Sequence, residues 1–271
     1  MNETQWVFQM LKWGVKFKVY PGFGTRGRPG DFAPRGFMQH HTGSDGGQSD
    51  DYLNFLFVRG RPEEGIPGPL CNIATDMDGD VHLGAAGRAN HAGSGSSTTL
   101  AKVTSENYDA YTEEIKPGPD DLNGNGYYYG NEWRYDGGQP PTAAMWNSAV
   151  LVAAAVCDFH GWTAASCLAH REHTRRKNDP GNVLMYKFRS AVDARLKAGP
   201  TITEDVLMAI SDADAQKIAN FVWAKMMGPA GAQSTAEDAQ VKARIGAEAL
   251  GAGGRIGLQL DRIEADTDRI P

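Results

Sequence analysis

No two cysteines in this sequence are spaced to hold a metal. There are three in 271 residues, Cys71, Cys157 and Cys167, and an odd count without a leader fits synthesis in a reducing cytoplasm. Cys157 lies in a helix-like alanine run and Cys167 in a strand-like run, so both read as buried, reduced thiols. Positive charge is also short: 27 Lys and Arg stand against 33 Asp and Glu, a net charge of -6. That balance argues against nucleic acid as the main partner. No apolar run approaches membrane-spanning length, so no membrane insertion is expected. The start, Met1-Asn-Glu-Thr-Gln-Trp, lacks a basic stretch followed by an apolar one, and no signal peptide is expected. There is no His-Glu-x-x-His pair; His170-Arg-Glu-His173 is one residue too short for that helical metal site. There is no internal repeat.

The length suits one good-sized domain with an appendage. Apolar spacing predicts a helix from Thr4 to Trp13, and alternation predicts a strand from Val15 to Tyr20. Gly36 to His41 reads as a strand, and Tyr52 to Val58 as a short helix or a strand. Leu70 to Thr75 and Val81 to Gly84 read as a hairpin around Asp78-Gly79. The aspartates between them lack the spacing and terminal glutamate of a calcium loop. Ser105 to Lys116 is expected as a helix, and aromatic-rich Tyr127 to Trp133 as a strand. Pro141 to Phe159 is the clearest helix, with Thr142 as its cap. Asn182 to Ala198 is a further helix. Gly199-Pro200 marks a boundary between residues 1–199 and a helical region, residues 200–271. There, Asp212 to Met227 and Ala236 to Ile270 read as helices. Ile256, Leu260, Ile263 and Ile270 fit a short seam for self-association or for packing on the main domain, and wall binding is the other role open to this region.

Two apolar runs end in histidine: Gly36-Phe-Met-Gln-His40-His41 and Ser166-Cys-Leu-Ala-His170. The second continues into a charged loop closed by Asp179-Pro180-Gly181. Two imidazoles and a carboxylate would make a three-ligand zinc site with one open position. On a strand, His40 and His41 face opposite ways, so only one can reach a given cleft. His173 competes with His170, whose place at a strand end favours it. Asp179 reads equally well as a cap for the turn that follows. Lys177 and Glu132 are ordinary solvated side chains unless they stand beside a reacting centre.

His40-His41-Thr42, Asn90-His91-Ala92-Gly93 and His170…Lys177-Asn178-Asp179-Pro180 together resemble the zinc-dependent N-acetylmuramoyl-L-alanine amidases. That family includes phage endolysins and peptidoglycan recognition proteins, and the likeness runs from about Tyr20 to Leu196. The resemblance implies an α/β fold, a central mixed β-sheet flanked by helices, followed here by the helical C-terminal tail. It implies Zn2+ held by His40, His170 and Asp179, with Lys177 at the oxyanion and Asn90 and His91 on the substrate side. Many relatives carry a tyrosine near the position of Cys71. Others use a glutamate on the strand before the long helix, and Glu132 takes that place here as the proton carrier. The expected activity is cleavage of the amide between N-acetylmuramic acid and L-alanine in peptidoglycan. The expected setting is a phage endolysin held in the host cytoplasm until a holin opens the membrane. The alternative is a non-catalytic peptidoglycan-binding module.

Overall fold

A computed structural model of the chain describes residues 1–44 and 48–201. The helices and the seam expected between residues 202 and 271 lie outside the described residues.

Six strands form one mixed sheet: β1 Phe17–Val19, β2 Gly36–His41, β3 Ile73–Thr75, β4 Val81–Leu83, β5 Tyr128–Trp133 and β6 Cys167–Ala169. Their spatial order is β1-β4-β3-β5-β2-β6. Within this sheet only the β3–β4 pair is antiparallel. It is the hairpin expected around Asp78-Gly79, and Gly79 takes a positive φ of 89° in its turn. The other neighbours run parallel.

Side chains alternate across the sheet, and this separates two cores. Phe37, Ile73, Tyr129, Trp133, Cys167 and Ala169 point to one face. There they meet α1 (Glu3–Lys12), α4 (Ala143–His160) and α5 (Met185–Ala198). Met38, Tyr128 and Leu168 point to the other face and pack with Val103 of α3 (Ser97–Ser105). Ala74 and Cys71 share that second face with Leu53, Leu56 and Phe57. These belong to α2 (Asp50–Asn54) and the π-helical turn Phe55–Arg59 that continues it.

Local chemistry explains the boundaries. Asn2 and Gln5 form a reciprocal capping box at the start of α1, each side chain bonding the other's backbone N–H at 2.9 Å. Thr142 caps α4 by accepting from Met145 N–H at 3.1 Å, and Gly161 ends it with φ 67°. By length and composition α4 could cross a membrane, against the expectation of no such run. Its apolar residues instead pack on the sheet, α1 and α5, and half of the helix is buried.

The helix expected at Ser105 to Lys116 is not there; α3 occupies residues 97–105. Ser96 accepts from Thr99 N–H, and Asp121 accepts from Ser97 N–H at 2.8 Å, which starts the helix early. Glu106, at φ 54°, ends it where the helix was expected to begin.

The chain after β6 turns through one helical turn, His170–His173. A buried ion pair anchors that turn. Arg189 Nη1 donates to Glu172 Oε2 at 3.0 Å and Oε1 at 3.1 Å. Glu172 also accepts from the backbone N–H of Ala169 and Ile115, at 2.8 and 2.7 Å. Removing one partner leaves the other as an unpaired buried charge, which costs about 3–5 kcal/mol. Arg189→Met should therefore lower unfolding free energy by about that much in urea titrations; an unchanged midpoint would exclude the anchoring role.

Candidate metal centre and its cleft

His40 is the fifth residue of β2, and His170 follows directly on β6, the strand beside it. Parity sends both imidazoles to the α3 face. The Asp179 turn folds back over them, and the three residues are buried together. His40 Nδ1 lies 2.9 Å from Asp179 Oδ2 and 3.1 Å from His170 Nδ1. His170 Nδ1 lies 2.9 Å from the same Asp179 oxygen.

The opposite edges of the two rings decide what these atoms can be. His170 Nε2 is 3.0 Å from the Ala92 carbonyl, so it carries the ring proton and donates. His91 Nε2 likewise donates to the Tyr128 carbonyl at 2.9 Å. That leaves His91 Nδ1 as an acceptor, and His40 Nε2 donates to it at 2.9 Å. Both His40 and His170 therefore present bare Nδ1 lone pairs. Burial lowers the His40 pKa to about 4, which keeps that ring neutral at pH 7.

Three acceptors thus converge within 3.1 Å of one another. Without a proton between them they repel, and a cation resolves the repulsion. Donors around a tetrahedral ion with bonds of about 2 Å sit about 3.3 Å apart, close to the edges of this triangle. Two neutral imidazoles and one carboxylate fit a divalent metal. The backbone and His91 contacts behind the rings are the outer layer that such ligands use to fix their orientation.

The competing histidines go elsewhere. His41 faces away, its ring against Tyr135 at 5.9 Å and close to Gly137. His173 meets Tyr128 edge to face with ring centroids 5.2 Å apart, outside the three-residue cluster.

Glu132 is the register partner of His40 on β5, so the two share a face. Its Oε2 is buried, with no hydrogen-bond partner among the described residues. Burial first, and the Asp179 charge second, push its pKa up to about 8; Lys177 and Arg61 act in the other direction. A carboxyl poised near neutrality beside a cluster of metal donors suits proton transfer. Lys177 is exposed, and its charge is felt by both Glu132 and His40.

Two expected substrate-side residues are turned inward. Both ring nitrogens of His91 are used within the protein, so it stands behind His40 with no nitrogen left for substrate. Asn90 Nδ2 donates to the Pro67 carbonyl at 2.8 Å, away from the cluster. Cys71 is buried and its thiol is pushed well above its usual pKa by burial, which leaves it neutral. The sequence showed no sign of the carbonyls of Ala92 and Tyr128 as partners, because main-chain acceptors have no residue signature.

A family model described as N-acetylmuramoyl-L-alanine amidase matches residues 30–182. No curated protein sequence matches the chain significantly. Among solved structures, the chain is similar to an endolysin amidase, LysCS, from Clostridium intestinale URNW. The two are 15% identical over 67% of this chain and 95% of that one, with a TM-score of 0.44. A selenomethionine derivative of AmpD is 18% identical over 67% and 96%, with a TM-score of 0.46. A Drosophila PGRP-LB mutant in complex with tracheal cytotoxin is 18% identical over 67% and 91%, with a TM-score of 0.37.

Proposed function

Because the chain belongs to the N-acetylmuramoyl-L-alanine amidase family, we propose that it is a zinc-dependent peptidoglycan hydrolase cutting the amide between N-acetylmuramic acid and L-alanine. The observation that carries this reading is the triangle of bare donors from His40, His170 and Asp179, with Glu132 on the same face. Zinc bound there would lower the pKa of a coordinated water to about 7 and polarise the scissile carbonyl.

The residues around the triangle divide the remaining work. Glu132 takes the proton of the attacking water and passes it to the departing L-alanine nitrogen, so one carboxyl serves both halves of the reaction. Lys177, on the exposed loop between two ligands, turns its ammonium to the oxygen that becomes negative when the carbonyl is attacked. Asp179 and the two imidazoles hold their place without taking part in proton transfer. The biological setting we propose is host-cell lysis by a phage endolysin, released from the cytoplasm when a holin opens the membrane.

A zymogram on purified cell walls tests the activity. Clearing should vanish with a chelator and return when zinc is restored, with new L-alanine amino termini released in step. Metal-independent wall binding without lysis would instead make the chain a recognition module.

A further inference from the structure

One short loop answers for both metal-facing imidazoles. Within Asn90 to Gly93, the His91 ring accepts from His40 and the Ala92 carbonyl accepts from His170. The proton position on each ligand ring is therefore set by how this loop is held.

One side-chain atom gathers three of its N–H groups. The backbone N–H groups of His91, Ala92 and Gly93 all donate to Asn125 Oδ1, at 3.0, 2.9 and 3.0 Å. Asn125 is only 7% exposed. Its own N–H donates to Asn123 Oδ1 at 3.1 Å, and Gly124 N–H donates to the Gly93 carbonyl at 2.7 Å. The clamp thus rides on the turn that leads into β5, and β5 carries the Tyr128 carbonyl that accepts from His91. Gly130 on β5 leaves room for the ring: a Cβ there would meet His91 Nδ1 at 2.7 Å.

We infer that Asn125 is a positioning residue for the metal centre. Its side-chain oxygen fixes the loop, the loop fixes the Nε2–H tautomer of His40 and His170, and both Nδ1 lone pairs are thereby aimed at the ion. The inference rests on the metal-dependent reading above. Loss of an outer contact of this kind typically costs about 10–100-fold in metal affinity. Asn125 touches neither the ion nor the reacting atoms.

The test uses the full chain and two substitutions. Asn125→Leu is close in size but offers no acceptor; Asn125→Asp keeps the oxygen. Zinc affinity is measured by competition with a chromophoric chelator, and imidazole tautomers are read by nitrogen NMR on the metal-free protein. Wild type should show His40 and His170 as Nε2–H tautomers. Asn125→Leu should mix those tautomers and weaken zinc by about 10–100-fold, while Asn125→Asp stays near wild type in both. Should the leucine variant not fold, Asn125→Ser, too short to reach three N–H groups, takes its place with the same expectation. Wild-type affinity and unmixed tautomers in the leucine or serine variant overturn the inference, as does an aspartate variant as weak as leucine. Wild type that binds no zinc but shows the ordered tautomers defeats the metal reading instead and leaves the clamp standing.

Discussion

His170→Ala is expected to yield a folded protein that keeps no metal through dialysis and clears no cell wall. Three donors make the site, and His170 Nδ1 is in contact with both of the others. Taking it away leaves one imidazole and one carboxylate, too few to hold an ion against water. The fold should survive because the surrounding turn is held by the Glu172–Arg189 pair and by the Ala169 N–H, not by the imidazole. The cost is one orphaned acceptor, the Ala92 carbonyl, worth about 1–3 kcal/mol. His41→Ala is the matched control: its ring lies on the other side of the strand, so bound metal should stay near wild type. Metal content by atomic absorption, circular dichroism and turbidity loss together decide it. One equivalent of metal and full lysis in His170→Ala would end the proposed mechanism.

Which histidine of the His40-His41 pair lies on the metal face came from the family resemblance; that only one of the two can was readable before any coordinates, because it rests on strand parity alone. The same is true of the β3–β4 hairpin and of α4, whose signals are local: a tight turn around Asp78-Gly79, a threonine cap, an alanine-rich run. What stayed hidden depends on partners far along the chain. α3 begins at Ser97 because Ser96 caps it and because Asp121, twenty-four residues later, accepts from its backbone. Glu172 sits in a run of charged residues that reads as solvated, yet it is buried by Arg189 and two backbone donors. His91 was drawn toward substrate by resemblance, and its partners are a carbonyl on β5 and the far edge of His40. Asn125 lay in an Asn-Gly-Asn-Gly stretch that reads only as loop. Local pattern and the family resemblance together therefore placed the donors, while the groups that orient them became visible only once distant segments met.

Glu132→Gln should separate metal binding from turnover. The side chain is outside the donor triangle, so metal content should be unchanged. A glutamine cannot carry a proton, and loss of a general base or acid typically costs about 10²–10⁴ in rate. The same change should stabilise the metal-free protein, in a pH-dependent way whose sign is fixed by the raised pKa. Burial and Asp179 lift the Glu132 carboxyl from 4.5 to about 8. Between those values the folded chain keeps a proton that the unfolded chain has released, so wild-type stability falls as pH rises through the window. Below about pH 4.5 both states are protonated and the penalty is absent; above about pH 8 it is fully present. Glutamine never ionises. The Tm advantage of Glu132→Gln over wild type, measured without metal, should be near zero at pH 4 and grow to a plateau above pH 8. A flat difference across that range would mean that Glu132 ionises at its ordinary value, and near-normal turnover would move the proton-transfer role to another group. A residue whose removal costs rate and adds stability is one kept for chemistry rather than for folding.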